Sequence, residues 1–348
     1  MKINLDKNLF TKEKVLLAEH GSFKITKFAY ASGVEALEVE NSKCSFIFTP
    51  FKGQQIWHFV AGGKELSMDV TTKEPTDSVM FLENYGGFLY HCGVNSFGVP
   101  DKDHPHHGEI PNAFYNEAYV DLGKDEKGKY IVLGGTLNAP ERNYNFSPSI
   151  KLYENSSMFE VNISIENTSS APLEYMYLCH LNFRPFNGSE IITSAKYDKE
   201  HIKLYRGEGS KELIAYFDEL EKDLTIMNKV GNDKEVYDPE ICFAINYEAD
   251  EDGYGHTMQM MEDGACYVKH PTDILSNGVR WISRTDTTDA LGMVLPATAE
   301  HVGYYNAKEK GQLKIIEANK TLGFTFYTGY VEKEEANAIK EKIEAILA

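Results

Sequence analysis

The sequence predicts an all-β protein in which antiparallel sheets pack face to face and one short helix closes the chain. Two observations support this fold class. Residues Met158–Asn167 alternate strictly between apolar and polar side chains, which is the pattern of a strand with one buried face. Strand-like runs separated by short polar turns recur along much of the chain, as expected for antiparallel hairpins.

The individual strands are short, and several are joined by tight turns. Three hairpins are predicted, pairing Ser149–Tyr153 with Met158–Asn167, Thr257–Met261 with Ala265–Lys269, and Gln312–Ile316 with Gly323–Tyr330. Further strands are predicted at Phe23–Tyr30, Ala36–Glu40, Ser45–Phe51, Tyr130–Leu137 and Leu173–Phe183.

One helix is predicted at the C-terminal end, where Ala336, Ile339, Ile343 and Ile346 recur at spacings of three or four residues among Glu and Lys. We expect it to cap a sheet edge. The segment 196–240 is more charged and less regular, which suits a long excursion with one short helix. Because no linker and no internal repeat is visible, residues 1–348 are expected to form a single domain.

The composition argues against several kinds of partner. The formal net charge is −18, and only five of the 35 basic residues are arginines. Nucleic acids and anionic membranes bind cationic surfaces, so neither is an expected partner. The first 20 residues lack the apolar stretch of a signal peptide, and the five widely spaced cysteines contain no CxxC pair. These features favour a cytoplasmic protein, and an exposed sheet edge would allow a homodimer.

A histidine-rich loop is the first candidate site. His91, His104, His106 and His107 lie within seventeen residues that are also rich in Gly, Pro, Asp and Asn, a composition typical of a loop. The unperturbed pKa of histidine lies near neutral pH, so such a cluster suits proton transfer or metal binding. The alternative is a solvated turn without a role. The loop begins like a cupin metal motif, but Glu109 follows His106 too closely, so no metal site is predicted.

His180 is the second candidate, near the end of the predicted strand Leu173–Phe183. Alternation places His180, Asn182 and Arg184 in a row on the face that begins with apolar residues. A face of this kind is typical of a sheet floor that emerges into a pocket. The alternative is a core histidine bonded to a backbone carbonyl.

Two segments combine aromatic and polar side chains and could line a sugar site. They are residues 279–284, which contain Trp281 and Arg284, and residues 83–88. Aromatic rings offer flat apolar faces to the C–H side of a pyranose, while Arg and Asn can bond its hydroxyl groups. The alternative for residues 279–284 is a strand with a buried Trp and two surface arginines.

Four segments together resemble the aldose 1-epimerase, or galactose mutarotase-like, superfamily in a divergent form. They are Phe88–Gly93, His107–Ala113, Tyr177–Phe183 and Leu291–Gly303, and the resemblance extends from about residue 22 to residue 330. The His-Gly and His-x-Asn elements within them are short, so their specificity lies in their combination with an all-β pattern. The resemblance implies a β-supersandwich, a fold of large antiparallel sheets with a sugar site on a concave face.

The resemblance also implies a mechanism without a cofactor. One histidine protonates the ring oxygen of the sugar, a glutamate takes the proton of the anomeric hydroxyl, and a second histidine positions the ring. His180 matches the acid through its His-x-Asn element, and His107 matches the positioning histidine through its His-Gly element. The expected sugar-binding residues are His91, Asn182, Arg184, Trp281 and Arg284.

One element departs from the pattern. The alignment places Leu295 where such enzymes carry their basic glutamate, and leucine cannot accept a proton, so Glu300 or Glu109 is the expected base. The favoured function is interconversion of the anomers of a neutral free sugar or a close derivative. Two alternatives are a sugar-binding protein that has lost catalysis and a different sugar isomerase or epimerase that uses Glu109 and a histidine-bound metal.

Overall fold

The computed structural model describes residues 1–348 and contains 24 strands, three α-helices and five short 3-10 helices. The strands, in chain order, are β1 (Lys2–Asn4), β2 (Val15–His20), β3 (Phe23–Ala29), β4 (Glu35–Glu40), β5 (Cys44–Thr49), β6 (Gln55–Ala61), β7 (Lys64–Glu65), β8 (Asp69–Val70), β9 (Leu89–Val94), β10 (Glu117–Asp125), β11 (Gly128–Ala139), β12 (Tyr144–Phe146), β13 (Ser149–Tyr153), β14 (Met158–Asn167), β15 (Leu173–Leu181), β16 (Glu190–Thr193), β17 (Ile202–Tyr205), β18 (Ile241–Ile245), β19 (Tyr254–Met260), β20 (Gly264–Pro271), β21 (Asn277–Arg284), β22 (Thr288–Ala297), β23 (Lys314–Ile316) and β24 (Thr321–Glu332). The α-helices are α1 (Lys211–Leu220), α2 (Tyr304–Glu309) and α3 (Lys333–Leu347). The 3-10 helices are Lys7–Leu9, Phe81–Asn84, Pro140–Arg142, Leu224–Asn228 and Glu235–Tyr237.

The strands form two large antiparallel sheets. The smaller sheet has ten strands in the order β1-β10-β11-β12-β14-β24-β20-β19-β16, with β13 beside β11 and β14. The larger sheet has fourteen strands in the order β17-β18-β21-β22-β15-β9-β6-β5-β4-β3-β2, with β23 beside β15, β7 beside β6 and β8 beside β22. The predicted all-β class with large antiparallel sheets and a C-terminal helix is therefore confirmed.

The two sheets pack face to face around a core cluster of 73 buried residues. On the smaller sheet, the apolar residues of β14 are buried in strict alternation, as the sequence pattern predicts. The ring of Phe159 on this strand contacts Phe46 and Phe59 of the larger sheet, with centroid distances of 5.0 Å in both pairs. Each buried aromatic ring of this kind contributes roughly 2–3 kcal/mol to stability.

Two local predictions need correction. The strands around residues 317–320 do not form a hairpin, because β23 pairs with β15 of the larger sheet while β24 pairs with β14 and β20 of the smaller one. Helix α3 reaches the edge strand β16, where Lys340 bonds Glu190 at 3.1 Å, but its buried residues pack on a sheet face. Its buried residues Ala336 and Ile343 pack on Met258, Tyr267 and Val331, so the helix lies across the face of β19, β20 and β24.

The irregular segment 196–240 contains the single α-helix that the sequence predicts there, α1. The side chain of Ser210 accepts a hydrogen bond from the backbone N–H of Leu213, which caps the first turn of this helix. The segment also contributes β17, the outermost strand of the larger sheet beside β18. No helix of the structure is both long enough and apolar enough to cross a membrane.

Candidate active site

A cavity of about 160 Å³ lies on the larger sheet, on the face turned away from the smaller sheet. The side chain of Tyr177 on β15 points to the smaller sheet, where its ring contacts Phe146 and Phe324. Because successive side chains of a strand point to opposite faces, Leu178 and His180 point the other way and line the cavity.

The floor of the cavity is formed by four neighbouring strands of the larger sheet. Strand β15 contributes His180, β21 contributes Trp281, and β22 contributes Leu295. Strand β18 contributes Cys242, and Glu240 stands immediately before this strand on the same face. Leu295, which the resemblance aligns with the basic glutamate of aldose 1-epimerases, is therefore part of the cavity floor and makes that part of the floor apolar.

Two loops form the walls above the floor. One carries the 3-10 helix Phe81–Asn84 and supplies the rings of Phe81 and Tyr85. The other supplies His106 and His107, whose rings are stacked with centroids 4.5 Å apart. The ring of His107 is also 4.5 Å from that of Phe81 and 5.0 Å from that of His180.

The His-Gly element has a clear structural reason. His107 has φ +59° and Gly108 has φ +85°, so two consecutive residues adopt left-handed backbone conformations. A Cβ atom at Gly108 would lie 2.1 Å from the carbonyl oxygen of Ser96 and 2.4 Å from that of Gly93. Only glycine fits there, and the tight passage places the preceding histidine ring in the cavity.

Hydrogen bonds fix the protonation pattern of His180. The Nδ2 group of Asn182 donates to the carbonyl oxygen of Gly87 at 3.0 Å, which orients the amide so that its Oδ1 atom lies 2.7 Å from Nδ1 of His180. Tyr85 donates its hydroxyl to the same Oδ1 at 3.0 Å. An amide oxygen can only accept, so Nδ1 of His180 carries the hydrogen and Nε2 of the neutral ring has a free lone pair.

His107 has the opposite arrangement. Its Nδ1 atom is buried and has no hydrogen-bond partner. A buried N–H group without a partner is rare and costly, so the favoured tautomer leaves Nδ1 unprotonated and puts the hydrogen on Nε2. The cavity thus contains one imidazole whose free nitrogen accepts a proton and one that offers a hydrogen-bond donor.

The histidines of the cavity are held neutral. Burial lowers the pKa of His180 to about 3, although the bond to Asn182 opposes this shift, and burial lowers the pKa of His301 to about 4. The pKa of His107 lies well below its ordinary value because of burial and the neighbouring histidines. Burial also lowers the pKa of His106, although the negative charge of Glu240 opposes that effect.

Glu240 is the single carboxylate that lines the cavity, and no Lys or Arg side chain lines it. Its Oε2 atom accepts a hydrogen bond from Nε1 of Trp281 at 2.6 Å, so one carboxylate oxygen is engaged and the other is free. The indole of Trp281 lies beside His180, with ring centroids 5.3 Å apart. The other tryptophan of the chain, Trp57, is fully buried in the core and donates to Gln55.

The two glutamates expected as bases lie outside this cavity. Glu300 lies in a neighbouring cavity, where Lys203 and Lys310 bond its Oε2 atom at 3.0 and 2.6 Å. The Oε1 atom of Glu109 accepts the hydroxyl of Tyr144 at 2.7 Å and the backbone N–H of Val94 at 3.0 Å. Each carboxylate is thus engaged by partners away from His180.

Four of the five expected sugar-binding residues also lie elsewhere. His91 is fully buried, with Nδ1 2.7 Å from the hydroxyl of Tyr177 on the side of the sheet that faces the core. Asn182 lies behind His180 with no exposed surface, so it orients that ring but does not line the cavity. Arg284 is buried and bonds Asp289 at 2.7 Å, and Arg184 donates to the backbone carbonyl of Ser67. Of the five expected sugar-binding residues, only Trp281 lines the cavity.

Glu240, His301 and Phe81 line the cavity although the sequence does not mark them as site residues, and Tyr85 lines it without a predicted role of its own. Glu240 ends the irregular charged segment, and no local pattern distinguishes it from the other acids there. Tyr85 does lie in the aromatic segment 83–88 that the sequence reasoning singled out. No group of three or more His, Cys, Asp or Glu side chains is arranged to hold a metal ion.

Comparisons with known proteins agree with this architecture. A putative aldose 1-epimerase from Klebsiella pneumoniae is 15% identical, with a TM-score of 0.79 over 100% of this chain and 92% of that chain. A galactose mutarotase-like protein from Clostridium acetobutylicum is 12% identical, with a TM-score of 0.58 over 90% and 99% of the two chains. A galactose 1-epimerase from Lactobacillus acidophilus is 11% identical, with a TM-score of 0.52 over 92% and 98%. At these identities the similarity shows the fold alone.

At the level of sequence, no curated protein matches the chain. The family model described as "Domain of unknown function (DUF4432)" matches residues 31–327, which is most of the chain. The chain has the galactose mutarotase-like fold that the four sequence segments predict, and it belongs to the DUF4432 family.

Proposed function

We propose that this protein is an aldose 1-epimerase-like enzyme that interconverts the anomers of a neutral free sugar in the cavity around His180. The observation that carries the proposal is the pairing of two neutral imidazoles, His180 with a free acceptor nitrogen and His107 with a free donor, in one aromatic cavity. An acceptor and a donor in one site are what acid–base catalysis at a hemiacetal requires.

The cavity suits a neutral sugar ring. Phe81, Tyr85 and Trp281 provide apolar ring faces against which the C–H side of a pyranose can stack. No cation is available for a phosphate or carboxylate group, and Glu240 would repel one. The free oxygen of Glu240 can instead accept a hydrogen bond from a sugar hydroxyl.

The proton route differs from the one that the family resemblance implies. His180 is neutral at pH 7, so it enters the reaction as a base, and its Nε2 takes the proton of the anomeric hydroxyl. The C1–O5 bond then breaks as the C1=O1 carbonyl forms, and the imidazolium of His180 returns the same proton to O5. Rotation about C1–C2 and closure by the reverse steps give the other anomer, with no net gain or loss of protons.

His107 supports this route without changing its own charge. Its Nε2–H group can donate a hydrogen bond to the ring oxygen while negative charge develops there. A neutral histidine can stabilise an oxyanion in this way when its pKa is strongly lowered. A route through two histidines does not need the basic glutamate that the family resemblance implies. The apolar Leu295 at the aligned position is compatible with this route.

The proposal is tested by magnetisation-exchange NMR, which measures the rate of anomer exchange for a panel of common aldoses. His180→Ala is expected to lower the enzyme-dependent rate at least about a hundredfold. Glu240→Gln is expected to raise KM roughly tenfold with a smaller effect on kcat, because it weakens a binding contact. His58→Ala, at a half-exposed histidine on β6 that bonds the backbone carbonyl of Lys73 and does not line the cavity, is the matched control. Undiminished exchange in His180→Ala would rule out the proposed proton route.

A second candidate function is sugar binding without catalysis, which the leucine at position 295 favours. It predicts that saturation-transfer NMR detects bound aldoses while the exchange rate stays at the buffer value. The same panel therefore separates the two functions.

A further inference from the structure

A second cavity, of about 440 Å³, lies beside the first one along the same strands. On β18, Cys242 lines the first cavity, while Ala244 and the following same-face residue, Asn246, line the second. On β21, Trp281 lines the first cavity and Asn277 the second. Successive residues on one face of a strand are about 7 Å apart, so the two cavities are immediate neighbours on one sheet face.

The boundary between the cavities is thin. Two consecutive residues divide it, since Glu300 lines the second cavity and His301 lines the first. The ring of Tyr205 packs edge-on against His301 at a centroid distance of 4.5 Å. The two cavities are therefore separated by side chains and not by a strand.

The carboxylate in the second cavity is strongly positioned. The side chain of Glu300 is 12% exposed, and its Oε2 atom bonds Lys203 and Lys310. Nε2 of Gln312 donates to its Oε1 atom at 3.3 Å. These contacts lower the pKa of Glu300 against the effect of burial, so it is a fixed acceptor for hydroxyl groups.

The remaining lining suits a polar but uncharged ligand. Asn246, Asn277 and Gln312 offer amide donors and acceptors, and Leu204 and Leu224 add apolar surface. The lysines and glutamates of the lining nearly balance, so the cavity has no strong preference for an anion or a cation. Amides, one fixed carboxylate and apolar patches are the groups that recognise a hydroxyl-rich ring.

We propose that the second cavity is a subsite for a second sugar ring, so that the preferred substrate is a reducing disaccharide or an aldose with a similar hydroxyl-rich substituent. This inference rests on the proposed function, since it assumes that the reducing-end ring occupies the first cavity. The second ring would bond the amides and Glu300 while the anomeric carbon lies beside His180.

The experiment compares exchange rates of glucose and galactose with those of maltose, cellobiose and lactose. The disaccharide that fits is expected to have a kcat/KM roughly tenfold above that of its reducing-end monosaccharide, as one or two added hydrogen bonds would give. Ala244→Phe, which fills the second cavity, and Asn246→Ala, at an exposed position, are each expected to reduce this ratio toward one. Ala345→Phe, on the exposed face of α3, is the matched control for the larger side chain.

Methyl glycosides make the result independent of catalysis, because they bind but cannot open. Methyl maltoside or methyl cellobioside is expected to bind about tenfold more tightly than methyl glucoside, and both variants to remove the difference. Disaccharides no better than monosaccharides in both assays, or no binding of any glycoside, would overturn the inference. Exchange of monosaccharides alone would overturn the subsite but leave the proposed function intact. Tighter disaccharide binding without exchange would support the subsite and reject catalysis.

Discussion

Replacing Asn182 tests the direction of proton transfer, because this amide determines which nitrogen of His180 carries the hydrogen. In Asn182→Leu the acceptor 2.7 Å from Nδ1 is lost, and the buried N–H group keeps only the long contact to the hydroxyl of Tyr85 at 3.5 Å. Loss of such a bond costs about 1–3 kcal/mol, and releasing even 1.4 kcal/mol of tautomer preference changes the tautomer ratio tenfold. We expect a comparable fall in kcat, together with a lower melting temperature.

Asn182→Asp is the matched variant, since it keeps the acceptor and adds a negative charge. An opposite charge this close raises a histidine pKa by roughly one to three pH units from the value of about 3 in the native protein. A base must be unprotonated, so activity is lost as the pH falls through the pKa of His180, and the acid limb of kcat/KM should move upward in this variant. Imidazole nitrogen NMR shifts report the tautomer and the pKa without reference to activity. If Asn182→Leu keeps both the Nδ1–H tautomer and the native exchange rate, the reasoning fails.

Three further predictions concern stability. Burial lowers the pKa of His270 to about 3, and neither ring nitrogen is bonded. Between about pH 6.5 and pH 3, therefore, only the unfolded state gains a proton at this residue, which lowers the free energy of unfolding. When urea unfolding is measured at pH 7 and at pH 5, the free energy of unfolding of His270→Phe should fall by about 2 kcal/mol less than that of the native chain. Lys342 bonds the buried Asp250 from α3, so Lys342→Met should lower the free energy of unfolding by roughly 1–2 kcal/mol, and an unchanged melting temperature would contradict this. Gly108→Ala should cost roughly 2–4 kcal/mol and displace His107, visible as a lower melting temperature and changed ring NMR shifts; native values for both would refute the steric argument.

Strands with one buried face were predictable, whereas pairings between distant segments were not. Alternation determines β14 to the residue, because each inward side chain contacts the core. The sequence pattern predicts a hairpin of β23 with β24 because the two segments flank a short turn. The structure places them in different sheets, and only their distant partners decide that pairing.

The site divides in the same way. His180 and Asn182 are two residues apart on one strand, so their common face follows from the period of two. Glu240 reaches the cavity only because β18 and β15 belong to one sheet face, with β21 and β22 between them, and strand order is not visible in local sequence. Glu300 and His301 are neighbours in the chain but face different cavities, so nearness in sequence does not predict which cavity a side chain enters.

The placement of the two tryptophans allows intrinsic fluorescence to report on the first cavity. Trp57 is sealed in the core and would give a constant emission, whereas Trp281 lines the first cavity with its indole N–H bonded to Glu240. A molecule that displaces solvent from that cavity would change the surroundings of one fluorophore and leave the other untouched. A shift in intrinsic fluorescence could therefore be assigned to a single place in the fold, and ligands could be screened without labels.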